Sequence, residues 1–223
     1  MINYIKESSN KAQKNKKEYS LWNRIIVIVS EQFTSDINLQ LVLNNIEKTI
    51  PKRITNDIES IYIGNFEELN RKGLESLYVE GAILVTNQQD SEQSLFNTLL
   101  HEFAHGIEKA FTANVYGDGS LQKEFLNKRK TLFNILTNEG YKPDLTLFLD
   151  IDYHQELDKF LYETVGYDKL SLLTTQLFIG PYSITSLREY FASGFEHYYS
   201  EDKEYLQQLS PQLCKKIKSL TKN

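Results

Sequence analysis

Residues His101-Glu102-Phe103-Ala104-His105 form the pattern H-E-x-x-H. On a helix, residues i and i+4 lie on one face, so both imidazoles can reach one metal ion. Zinc suits two imidazoles and a carboxylate, with a fourth position left to water. Glu102, one residue along, is placed to meet a water activated by that metal rather than the metal itself. The chain holds only four histidines in 223 residues, and two of them fall at this spacing. The competing reading is an exposed helical turn that carries two histidines. Leu95, Phe96, Leu99, Leu100, Phe103, Ala104, Ile107 and Phe111 argue instead for a buried helix, since they supply it with an apolar surface.

Two histidines do not make a stable zinc site, so a third ligand is needed. The extended pattern H-E-x-x-H-x-x-G-x-x-H is excluded, because Glu108 and Phe111 stand at its last two fixed positions. A thiolate ligand is not expected, since the single cysteine, Cys214, lies in a lysine-rich C-terminal stretch. One cysteine also excludes an intrachain disulfide and a thiolate cluster. Glu108 shares the face of His101 and His105 but lies beyond both, which suits a residue behind the ligands or at the surface. His154, Glu156, Glu163, Glu189, Glu196 and His197 remain. Glu189 is the best placed, near the start of a helix after the Gly180-Pro181 break and among apolar neighbours. Ser186-x-x-Glu189 also matches a capping box, in which Glu189 merely satisfies a backbone N–H. Spacing alone leaves both readings of Glu189 open. His154 and His197 read as surface and helix-face residues.

The elements that must position these residues follow from the periodicity. Residues 1–18 are polar and predict a helix. Ile25–Val29 is β-branched throughout and predicts a buried strand. Leu39, Val42, Leu43, Ile46 and Ile50 predict a helix ended by Pro51. Ile58 to Gly64 predicts a second strand, and residues 66–72 a short helix. Leu74–Glu80 and Ala82–Asn87 predict strands meeting at Gly81. Asp90 with Gln93 predicts the cap of the motif helix. Helices are expected over 121–137, 146–163, 170–178 and 186–199, and from about 202 onward. The fold class is α+β and zincin-like. An N-terminal α/β lobe, about 1–115, holds a small mixed sheet with an edge strand beside the motif helix. A mostly helical C-terminal lobe, about 116–223, completes one domain spanning 1–223.

With the motif and the later segment Tyr182-x6-Glu189-Tyr190-Phe191-Ala192, the chain resembles the catalytic domain of anthrax toxin lethal factor. It is similar also to the secreted Pro-Pro endopeptidases of clostridia. The resemblance covers about residues 55–200 and implies a gluzincin-like metallopeptidase. It implies Glu189 as the third zinc ligand and Tyr182 as a tyrosine facing the scissile carbonyl. Two departures stand out. Ser193 occupies the position where the family usually has a glutamate, and 84 residues separate His105 from Glu189, which points to an insertion around 141–170.

Composition narrows the partners. A net charge of −5 argues against nucleic acid or an anionic membrane as the main partner. No signal peptide or spanning segment is visible, so the reading is cytoplasmic. The expected activity is that of a Zn2+-dependent endopeptidase with Glu102 as general base. Its peptide or protein substrate is expected to pair with residues 82–87 as the edge strand. Two alternatives share the motif: a zinc-binding, catalytically inactive interaction module, and a toxin or effector protease. The intact Glu102 argues against the module.

Overall fold

A computed structural model describes residues 17–222. The helix expected over residues 1–18 falls outside them, except that Lys17 and Glu18 already belong to a strand. Among the described residues, five strands form one mixed sheet: β1 (Lys17–Leu21), β2 (Ile25–Val29), β3 (Ser60–Gly64), β4 (Ser76–Val79) and β5 (Ala82–Thr86), in the order β1-β2-β3-β5-β4. The parallel pairs are β2 with β3 and β3 with β5; the antiparallel pairs are β1 with β2 and β4 with β5. With the helices described below, the class is α+β.

The chain divides into two compact units, 1–107 and 108–223. In the first unit, Val27, Ile61, Ile63, Ile83 and Val85 are fully buried on the sheet, as are Ile46 of helix α1 (Leu39–Thr49) and Leu99 and Phe103 of the motif helix. A short helix, α2 (Glu67–Lys72), ends at Gly73, whose φ of 64° supplies the left-handed cap.

The edge of the sheet differs from the expectation. Residues 82–87 do not form an edge strand: β5 has β3 on one side and β4 on the other, so its ladder is filled on both. The reason is the two-residue turn Glu80-Gly81, with φ of 47° and 85°, which folds β4 back along the outside of β5. The hairpin is legible from Gly81, but nothing local decides which of its arms lies inside.

The second unit is helical: α4 (Thr112–Tyr116), α5 (Ser120–Asn138), α6 (Leu145–Phe148), α7 (Gln155–Lys159), α8 (Tyr167–Thr174), α9 (Leu187–Ser200), α10 (Lys203–Leu209) and α11 (Pro211–Lys222). The single helix expected over 146–163 is broken. Asp144 caps the four-residue α6, Asp150 accepts the Asp152 N–H at 3.0 Å in a local turn, and a π-helical segment spans Phe160–Val165. The expected last helix is likewise divided, because Ser210 and Pro211 end one helix and begin the next. Phe125, Phe148, Tyr190, Phe191 and Phe195 fill this core. Among the described residues, no helix is long and apolar enough to cross a membrane.

Candidate metal centre

The motif lies on the 19-residue helix α3 (Glu92–Ala110). Its cap is one residue later than the sequence suggests. Ser91 Oγ accepts the Ser94 N–H at 3.1 Å, while Gln93 donates sideways to Asn97. Asp90 and Ser91 are both short and polar, so the pattern alone cannot separate them. The helix presses closely on the sheet unit at Gly106. A Cβ there would lie 2.8 Å from Ile58 Cγ1 and 3.1 Å from Tyr78 Cε2, so the residue following His105 has no room for a side chain.

The His101 and His105 rings stand edge to face, with centroids 5.1 Å apart. One ligand atom from each of His101, His105 and Glu189 lies within 4.8 Å of the others, a group that could hold a metal ion. The other candidates, His154, Glu156, Glu163, Glu196 and His197, do not belong to that group. His154 instead contacts Asp150 Oδ2 through Nε2 at 3.0 Å. The helix cap itself is Ser186, whose Oγ accepts the Glu189 N–H at 3.1 Å. The Glu189 main chain thus serves the helix, while its carboxylate is the third member of the group that could hold a metal ion.

Glu102 does not belong to that group. It is 4% exposed. Its Oε1 accepts from Ser76 Oγ on β4 at 2.7 Å, and its Oε2 is buried without a hydrogen-bond partner among the described residues. A buried carboxylate oxygen left open costs stability unless something polar meets it. Two imidazoles and a carboxylate are nitrogen and oxygen donors of the kind zinc takes, so the residues present fit such an ion.

Glu108 is buried rather than at the surface. It accepts from the Tyr116 hydroxyl at 2.7 Å and meets Arg188 Nε at 3.5 Å, so it braces the residue before Glu189. Burial, and then the charge of Glu108, push the Tyr116 hydroxyl well above the usual tyrosine range. Tyr182 begins the 3-10 turn Tyr182–Ile184 and is 40% exposed.

The segment from Tyr182 to Glu189 has a fixed support that sequence reasoning missed. Arg129 of α5 is fully buried. Its guanidinium donates to the carbonyls of Ile184 and Thr185, each at 2.8 Å, and to those of Leu147, at 3.1 Å, and Asp150. Ile151 O adds a bond from the Leu187 N–H at 2.9 Å. Burial lowers the Arg129 pKa to about 10, partly offset by the charge of Asp150, so the cation persists at neutral pH. A signal for it existed. Arg129 falls on the stripe Leu121, Phe125, Leu132 and Leu136, where an apolar residue is expected. Ser76 left no such signal, being 26 residues from its partner Glu102.

Comparison with protein-family models, curated proteins and solved structures gave no match.

Proposed function

We propose that the chain is a zinc-dependent endopeptidase of zincin-like architecture, similar in its site to the lethal-factor catalytic domain. One observation carries the reading: a buried Glu102, with one oxygen held by Ser76 and the other open, follows the first of two imidazoles that group with Glu189. His101, His105 and Glu189 would hold the zinc. When bound, that ion supplies a Lewis acid that polarises a carbonyl and makes water acidic enough to ionise near neutral pH.

The chain's own residues do the rest. Ser76 fixes Oε1 of Glu102, leaving Oε2 as the base. It takes a proton from the attacking water as the water oxygen bonds to the peptide carbonyl carbon. That proton passes to the amide nitrogen as the C–N bond breaks, restoring Glu102, and the proton left on the former water oxygen ends on the amine, giving a carboxylate and an ammonium. The Tyr182 hydroxyl donates to the carbonyl oxygen as negative charge builds there. A purely zinc-binding module has no use for a buried carboxylate with an open oxygen, which favours the enzyme. An extended peptide would have a place on the outer side of β4, which among the described residues pairs with β5 alone.

The test is metal content and turnover together. The protein should bind one zinc per chain, and His101→Ala, His105→Ala and Glu189→Ala should each remove most of it. Glu102→Gln should keep zinc and melting temperature and lose at least about 10² in kcat. Tyr182→Phe should lower kcat with little change in KM. No zinc after reconstitution, or wild-type turnover in Glu102→Gln, would sink the reading.

A further inference from the structure

Strand β4 and helix α3 run in step. Ser76 Oγ donates to Glu102 Oε1 at 2.7 Å. Two residues on, the Tyr78 ring packs at Gly106, where a Cβ would lie 3.1 Å from Tyr78 Cε2. Two residues of strand advance about 6.6 Å and four of helix about 6 Å, so both contacts belong to one register. The strand cannot slide along the helix without drawing the Ser76 hydroxyl away from the carboxylate. With Oε2 unpartnered among the described residues, the bond from Ser76 is what sets the plane of the Glu102 carboxylate.

The main chain of the same residue faces elsewhere. In an antiparallel ladder, residue pairs alternate between exchanging both main-chain bonds and exchanging none. The Thr86 N–H donates to Glu75 O at 2.8 Å, which makes Glu75 with Thr86 a bonded pair. The next pair, Ser76 with Val85, is therefore an unbonded one. The Ser76 N–H and C=O turn to the side of β4 away from β5, where no strand of the described residues lies. Resting on the peptidase reading, we propose that Ser76 is a positioning residue that ties substrate pairing to the base. A peptide laid along β4 accepts from the Ser76 N–H with one carbonyl and donates to the Ser76 C=O with one N–H. Those bonds fix the residue that aims Glu102. Main-chain pairing away from the cleaved bond then raises kcat as well as affinity.

The experiment uses the zinc-loaded full chain and a peptide it cleaves, selected from a randomised library. Ser76→Ala should lower kcat about tenfold, as expected for losing a hydrogen bond to a charged group, and leave KM within about twofold because the main chain stays. Ser76→Thr keeps the hydroxyl and should recover most of that loss. Zinc content and melting temperature should match wild type in both. Next, one amide after another in the peptide, the cleaved one excepted, is replaced by an ester, which removes an N–H without adding bulk. At one position the ester should lower kcat as well as raise KM; in Ser76→Ala the same ester should raise KM alone. Binding is read apart from turnover by NMR on isotope-labelled, zinc-loaded Glu102→Gln. There the Ser76 amide signal should shift and gain protection from hydrogen exchange when the peptide is added. This readout leaves Ser76 intact, so it decides even where Ser76→Ala fails to fold. Wild-type kcat in Ser76→Ala, no recovery in Ser76→Thr, equal ester effects in wild type and Ser76→Ala, or a Ser76 amide indifferent to the peptide each overturns the proposal and leaves the peptidase reading standing. A zinc-loaded protein that cleaves nothing overturns the peptidase reading, and this inference with it.

Discussion

The helix that carries His101, Glu102 and His105 and the helix that carries Glu189 are fixed by different forces. Helix α3 is held by close apolar packing. Leu95, Leu99, Leu100, Phe103 and Ile107 are fully buried, and Gly106 lets Ile58 and Tyr78 come against the helix backbone. Helix α9 also has a close approach, at Gly194, where a Cβ would strike Leu213. The segment that leads into it, however, is held through its main chain by the Arg129 cation. Apolar packing is non-directional and summed over many contacts, so it resists small changes. A polar hub is directional, and losing its donor leaves several buried acceptors unmet at once.

That contrast sets the order of expected losses. Arg129→Met should be the most damaging, costing at least about 3 kcal/mol, because the carbonyls of Leu147, Asp150, Ile184 and Thr185 lose their donor together. Chemical denaturation measures it, and a loss below about 1 kcal/mol would show that the hub is not what fixes this segment. Gly106→Val should cost about 2–3 kcal/mol through overpacking against Ile58 and Tyr78. Equal stability to wild type would mean the helix can slide off the sheet residues without penalty. The smallest effect belongs to Ser186→Ala, about 1 kcal/mol for a lost helix cap. If Ser186→Ala also weakens zinc binding, capping and metal ligation are coupled through Glu189; unchanged zinc affinity would keep them separate.

The same contrast explains what was legible in the sequence. Period and spacing are local, so α1, β2, β3, the hairpin at Gly81 and the helix Leu187–Ser200 were all readable. The H-E-x-x-H pattern is local too. Glu189 was readable only as one of two alternatives, since Ser186-x-x-Glu189 carries a capping signal of equal strength. What could not be read depends on distant partners. Ser76 meets Glu102 across 26 residues, and Arg129 meets Ile184 across 55. The inner position of β5 is likewise a choice of sheet order, not of strand propensity. The expected helix over 146–163 failed because Asp150 favours a local side-chain turn over continued helix.

The acceptors of Arg129 are all main-chain carbonyls, and every residue type has one. For this hub, then, the side chains of Leu147 and Ile184 carry no information and substitutions there are filtered only by packing, while Asp150 adds its charge and Thr185 a bond to Tyr182 O. Position 129 has no substitute among the other amino acids, because no other side chain spreads five donors across a plane. A library of random variants of this segment should therefore show an uneven pattern. Tolerance should be broad at Leu147 and Ile184, whose carbonyls are held, and close to absent at the residue that holds them.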